Sequence, residues 1–275
     1  MIRPLPFLTG LCLCVLPVAA FAQEAPSTRE MNLISWQEFA AFVPGRIETV
    51  LLPVGTLEPH GVLPNGSDNL APEAMARALA DRLNAMIAPT LNYGVTGSLQ
   101  AYPGAFKISE EAYGPFVADI LAGLARNGFK NIIVLNGHGG PQTALLREVA
   151  ATASERHQVR TLVINWWSLA SEDTFAVFGE NGGHAGNNET AYVQTVVPEH
   201  IHPDQYTPDM TTPYPSGNAW AAYPFPSSIG LYEAGQGFPT FDPAQAQAYF
   251  NRVNERVALL IEDVIRKWDM AGLYR

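Results

Sequence analysis

Apolar positions along the chain follow two rhythms. Short runs with no polar face, Glu48 to Val54 and Asn131 to Leu135, predict strands buried on both sides, the first ending at Gly55. Arg160 to Trp166 and Ala88 to Tyr93 predict two more strands. Between them the apolar spacing turns helical. Ser35 caps a short helix from Trp36 to Phe42, and Ala71 to Met86 places Met75, Ala78, Leu79, Leu83 and Met86 on one stripe. Ser109, with Glu110 and Glu111 in the first turn, starts a helix that runs to Arg126 and ends at Asn127-Gly128. A further helix spans Gln142 to His157. The last, Gln245 to Trp268, aligns Phe250, Val253, Val257, Leu260, Ile261 and Val264. This alternation predicts an α/β fold, a three-layer domain with a mostly parallel sheet flanked by helices on both faces. No linker or internal repeat interrupts it, which predicts one domain.

Three stretches carry neither rhythm. Glu58 to Asn69 and Gly94 to Phe106 predict loops, and Pro198 to Pro243, rich in Pro, Tyr, Phe and Gly, predicts a lid or an oligomer contact. The first follows a strand's carboxyl end, as does the segment after Leu135. In open α/β sheets such ends gather the site. Trp166-Trp167 ends a predicted strand near the same edge, with one ring required by the core.

The first 22 residues read as a cleavable export signal. Arg3 is positive, Leu5 to Val18 is almost wholly apolar, and Ala20-Phe21-Ala22 offers a small-x-small cleavage site. The stretch is shorter than the roughly 20 residues of a spanning helix, and Pro6 and Pro17 interrupt it. The expected location is periplasmic or secreted. Both cysteines, Cys12 and Cys14, lie in this leader, so a mature chain has no disulfide, thiolate ligand or cysteine nucleophile. Formal charge is -10 for the 275 residues, and loss of Arg3 makes it about -11. Such acidity argues against nucleic acid and anionic membranes as partners.

The chemistry concentrates in three pieces. Glu58-Pro59-His60-Gly61, with Asp68 downstream, puts three strong metal ligands into a Gly- and Pro-rich segment. Residues i and i+2 of an extended backbone point the same way, so Glu58 and His60 can reach one ion. Carboxylate and imidazole together suit borderline divalent metals such as zinc. Asn136-Gly137-His138-Gly139-Gly140 places a histidine between glycines that allow close backbone approach. The third piece is Gly183-His184-Ala185-Gly186-Asn187-Asn188-Glu189-Thr190. Together they argue for a metal-dependent hydrolase. His157 at a helix end is read as structural, and His200 and His202, beside Pro198 and Pro203, as surface residues. Asp173, Glu180 and Asn181 are read as polar loop groups.

In these three motifs, in this order, the chain resembles the creatininase family, the creatinine amidohydrolases, over roughly residues 32 to 197. Tyr102-Pro103-Gly104 adds to the match. The resemblance implies a creatininase-like fold, a site of two divalent cations (zinc first, manganese or iron as alternatives) and hydrolysis of an amide or cyclic amide C–N bond by a metal-activated water. Carried over by position, it implies Glu58, His60, Asp68, His138 and Glu189 as ligands, with Asp68 shared between the ions. It implies His184 beside the substrate as the proton-moving, catalytic residue. It also implies a small-molecule substrate and a homo-oligomer, with a hexamer as the candidate assembly. The chain departs from the family pattern in lacking a second histidine after Gly61, in Ala105 and Pro141, and in Asn187 and Asn188 where an acidic residue is usual. Those changes leave other bonds open, in a formamide, a lactam, a peptide end or a cyclic ketone. They also leave open a periplasmic protein that binds metal or ligand without turnover.

Overall fold

Thr49–Val54 (β1) and Asn131–Asn136 (β3) have every residue buried, and they lie side by side as parallel strands from Thr49 opposite Asn131 to Val54 opposite Asn136. In this computed structural model, which describes residues 25–215 and 219–274, they form the centre of a four-stranded parallel sheet. Ala85–Ile87 (β2) flanks β1, Arg160–Asn165 (β4) flanks β3, and the order is β2-β1-β3-β4. The export signal read in residues 1–22 lies outside the described residues.

Alternation along the strands separates the core into two layers. Val50, Leu52, Val54, Ile132 and Val134 pack on Trp36–Phe42 (α1), Glu110–Arg126 (α3) and Pro141–His157 (α4) through Phe42, Tyr113, Val117, Leu121, Leu146 and Ala150. Leu51, Ile133, Leu135 and Ile164 face the other way. They pack with Ser67–Leu79 (α2), Trp166–Leu169 (α5), Asn187–Val196 (α7) and Pro243–Ala271 (α8). Ser171–Phe178 (α6) lies against α8. The expected three-layer α/β fold is present.

Apolar contacts hold α8. Arg82 reaches Glu255 at 2.5 Å and Glu262 at 2.7 Å, but all three side chains are more than a third exposed, and such pairs contribute up to about 1 kcal/mol. Burying a Val, Ile or Tyr side chain contributes roughly 1.5–3 kcal/mol, and α8 buries Tyr249, Val253, Val257 and Ile261 completely. No helix among the described residues is long and apolar enough to cross a membrane.

The structure moves several expected boundaries. The helix expected from Ala71 to Met86 begins at Ser67 and ends at Leu79. A turn through Asn84, with φ of 45°, then sends Met86 into β2. The strand expected at Ala88 to Tyr93 is therefore earlier, and only Leu91 bridges to Val54. Asp173 is not a loop residue: it sits on α6, buried, and pairs with Arg252 at 3.3 Å and with Arg256. The 198–243 segment carries a second sheet. Thr211–Pro213 (β6) and Ile229–Leu231 (β7) are parallel, and β7 pairs antiparallel with Gly183–His184 (β5).

Candidate active site

Two strand ends open onto one place. Beyond Val54 the chain turns through Gly55 to Glu58 and His60, and beyond Asn136 it turns through Gly137 to His138. Close approach makes the two glycines necessary. A Cβ on either would collide with the backbone carbonyl of Asp68, and at Gly137 it would also lie 3.0 Å from Pro72. These collisions show how tightly the first turn of α2, which carries Asp68, is drawn against the sheet. Asp68 was expected in a loop. It sits instead at a helix N-terminus, where the dipole favours its negative charge. Glu189 holds the equivalent place on α7 and accepts a hydrogen bond from the Ala185 N–H at 2.7 Å.

The structure brings together all six residues read from the sequence. Glu58, His60, Asp68 and His138 are buried, and the side chains of His184 and Glu189 are 13% exposed. Asp68 is the hub. One carboxylate oxygen lies 2.9 Å from His60 Nε2, and the other lies 2.8 Å from His138 Nδ1. Glu58 is 3.2 Å from the same His138 nitrogen, and Glu189 is 3.7 Å from His60 Nε2. Each ring is fixed by its far nitrogen. His60 Nδ1–H donates to the Glu58 carbonyl at 3.0 Å, and His138 Nε2–H donates to the Val95 carbonyl at 3.1 Å. His184 Nε2–H donates to the Pro59 carbonyl at 2.7 Å, and its ring lies 4.2 Å from that of His60.

A second layer locks these groups. Gln142, buried on the first turn of α4, accepts from the Val95 N–H at 2.9 Å and donates to Asn136 Oδ1 at 3.1 Å. It thereby holds the carbonyl that orients His138. Asn136 donates to the His138 carbonyl at 2.6 Å and to Asn165 Oδ1 at 2.8 Å. Asn188 accepts from the Gly183 N–H at 2.9 Å and so shapes the His184 turn. Ala185, between His184 and Gly186, has φ of 54°. An alanine in that region is strained, and such strain gathers at functional sites.

The electrostatics describe a cluster with excess negative charge. Burial pulls the His60 pKa down, but Asp68 first, then Glu189 and Glu58, outweigh it and raise the value to about 10. Burial opposes charge on His138 as well, and Glu58 and Asp68 still push it well above its ordinary value. Burial alone would raise Asp68, yet the two imidazoles hold it well below the usual carboxylate range. Burial lifts Glu189 to about 7. His184 differs: burial, and then the charge on His60, lower it to about 4, which leaves it neutral near pH 7.

The donor set fits divalent cations. Two triads, Glu58–Asp68–His138 and His60–Asp68–Glu189, each bring their donor atoms within 4.8 Å of one another, and they share Asp68. Glu58, His60 and His184 form a third such group. The ion-pair partners of these carboxylates are histidines. Pinned rings with one nitrogen turned to carboxylates are the usual surroundings of metal-binding histidine.

Above the cluster lies a cavity of about 740 Å³. Trp167, Asn165, Ser98, Tyr214, Tyr223 and Tyr232 line it, and no lysine or arginine among the described residues does so. Trp166 is buried against Tyr192 at 5.1 Å, so the tandem tryptophans divide between core and cavity. The sequence reading missed the three tyrosines as individual residues. Only the aromatic richness of 198–243 signalled them. His200 and His202 stand outside the site and are exposed, as expected.

The chain is similar to several characterised proteins. The chain is 24% identical to a creatinine amidohydrolase of Pseudomonas putida over 66% of this chain and 77% of that one. It is 29% identical to a 3-dehydro-scyllo-inosose hydrolase of Thermotoga maritima over 56% of this chain and 52% of that one. It is also 29% identical to a mycofactocin precursor peptide peptidase of Mycolicibacterium smegmatis, over 61% and 65%. The match thus spans about half of the Thermotoga protein and just under two thirds of the peptidase. In fold, the chain is similar to a creatininase variant of Zn–Zn type, with a TM-score of 0.73 at 21% identity over 86% of this chain and 98% of that one. A manganese creatininase gives 0.72 at 20% identity over the same shares. Residues 32–261 match the family model of creatinine amidohydrolase, and the chain, a hydrolase, belongs to the creatininase family.

Proposed function

We propose that the protein is an exported, divalent-metal-dependent amidohydrolase that cleaves the C–N bond of an amide or cyclic amide in a small molecule. The observation that carries this reading is Asp68, whose two oxygens face two different histidines in two overlapping triads. In this reading Glu58, Asp68 and His138 would hold one cation, and His60, Asp68 and Glu189 would hold a second. Zinc is the first candidate, with manganese and iron as alternatives. Bound there, the cations would acidify water and polarise the carbonyl under attack.

The chain's own groups do the rest. His60 and His138 offer one lone pair each, because their other nitrogens are committed to backbone carbonyls. His184, neutral and with Nε2–H donating to Pro59, has Nδ1, 3.7 Å from a Glu58 oxygen, unprotonated and able to take a proton and return it to the leaving nitrogen. Trp167 and the tyrosines enclose the substrate and limit water. The names of the relatives span a cyclic amide, an inosose and a peptide. The family description and the Pseudomonas relative, both creatinine amidohydrolase, support the amide bond. Export rests on the leader pattern of residues 1–22. A homo-oligomer, with the hexamer as candidate, rests on family resemblance.

The test is product release from creatinine, formamide, a lactam and a dipeptide, with zinc or manganese added or with chelator. Turnover that chelator abolishes is the expected result. Saturable binding without product in every case contradicts the reading and favours a binding protein.

A further inference from the structure

One wall of the cavity carries the phenol of Tyr214. Tyr214 follows β6, and its N–H donates to the Leu231 carbonyl at 2.7 Å. Its phenol crosses the face of β7 over Gly230. A Cβ on Gly230 would sit 2.6 Å from Tyr214 Cζ and 2.8 Å from its hydroxyl oxygen. Gly230 is the residue paired with His184 across β5 and β7. The glycine therefore makes room for the phenol directly beside the strand position of His184. Phe225 stacks on the Tyr214 ring at 5.7 Å, and Tyr232 lies 5.7 Å away on another side. The ring is thus clamped.

The hydroxyls of Tyr113 and Tyr206 are buried without a partner among the described residues, but neither residue lines this cavity. Other hydroxyls are committed. Tyr102 donates to the Phe225 carbonyl, Tyr192 donates to Asn254, and Tyr249 shares a hydrogen bond with Thr174. The Tyr214 hydroxyl, by contrast, hydrogen-bonds none of the described residues. It lines the same cavity as Glu58, Asp68, His138, His184 and Glu189. Tyr214 keeps 37% of its surface exposed, yet partial burial and the negative charge of Glu189, Glu58 and Asp68 push its pKa upward from an ordinary value that is already near 10, so it is a protonated donor at neutral pH.

We propose that the Tyr214 hydroxyl is a catalytic hydrogen-bond donor to the scissile carbonyl oxygen as that oxygen gains negative charge. The assignment rests on the amidohydrolase reading of the site. No covalent step is involved. The phenol keeps its proton, and its hydrogen bond strengthens as the carbonyl carbon becomes tetrahedral. Removing one such donor costs on the order of 10²–10³ in kcat.

The test uses the full-length, zinc-loaded protein and two variants. Tyr214→Phe keeps the ring on Gly230 and removes only the hydroxyl. Gly230→Ala keeps the hydroxyl and displaces it. Both are measured for turnover on the amide panel and, by calorimetry, for affinity to methylphosphonate, a tetrahedral anion. The expected result for each is a kcat loss of about 100-fold and at least about tenfold weaker methylphosphonate binding, with zinc content and melting temperature of Tyr214→Phe unchanged. Wild-type turnover matched by Tyr214→Phe, with equal methylphosphonate affinity, overturns the assignment. If wild type hydrolyses no amide while methylphosphonate binding still needs the hydroxyl, the donor role stands and the amide reading fails.

Discussion

The two walls of the active site are built differently. One wall is the carboxyl edge of the central sheet, with the first turns of α2 and α7. The other is the aromatic cover from the 198–243 segment. In the first, each group is held more than once: Gly55 and Gly137 admit the Asp68 backbone, Gln142 fixes Val95, and Val95 fixes His138. In the second, three-residue strands and ring contacts carry Tyr214 and Tyr232, and Tyr223 is 85% exposed. The contrast separates tasks. Groups that must sit within tenths of an ångström are placed on the rigid sheet. The cover carries groups that meet the substrate, with the Tyr214 ring seated over Gly230 as its one clamped member, where the surrounding sequence can change without unfolding the domain.

That division can be broken most severely at His138. His138→Ala is expected to lower turnover by at least about 10³-fold and to deplete bound metal, because it removes a donor from the shared triad. Metal analysis beside steady-state kinetics checks both. His184→Ala should be milder, a loss of about 10²–10⁴-fold with metal retained; metal loss there would instead make His184 a ligand, as its group with Glu58 and His60 allows.

Gly137→Ala acts one step removed. Its Cβ would drive against Asp68 and Pro72, and overpacking of this kind costs about 1–3 kcal/mol. A lower melting temperature and metal affinity weakened about 10–100-fold are expected, measured by thermal denaturation and metal titration; wild-type values for both would show that α2 can shift freely.

Chelated protein tests the charge of the same wall. The His60 pKa is raised in the folded state, so its stabilisation is complete below its ordinary value of 6.5 and fades as pH rises through about 10. The melting temperature in chelator should fall across that interval, and His60→Asn should flatten the slope. A slope unchanged in His60→Asn would place its origin elsewhere. The smallest effect belongs to the exposed part of the cover: Tyr223→Ala should leave stability within about 0.5 kcal/mol while shifting KM a few-fold. A stability loss well beyond that would mean that the cover supports the fold.

The same contrast explains what the sequence disclosed. Strands β1 and β3 were legible because strands buried on both faces are apolar without alternation, β4 because its β-branched run survives partial burial, and the ligand loops because chemistry and glycine coincide at their ends. The start of α2 was hidden. Pro64, Asn65 and Gly66 read as loop, and Pro72 lies inside the helix, so Asp68 was assigned to the wrong element although to the right site. The end of α2 was hidden too, since Leu83 and Met86 continue a helical spacing across a turn that only the left-handed Asn84 reveals. Asp173 looked like a loop residue because its partners, Arg252 and Arg256, lie some 80 residues away. The cover resisted reading for a similar reason: β5 and β7 pair across more than 40 residues, and their few residues have no periodicity to detect.

Metal content per chain, measured by mass spectrometry on the purified protein and on Asp68→Asn, tests the central claim most directly. The account predicts close to two zinc or manganese ions in the wild type and loss of both in the variant, because both triads need Asp68. Two ions retained by Asp68→Asn, or none in the wild type even after incubation with zinc or manganese, would contradict it.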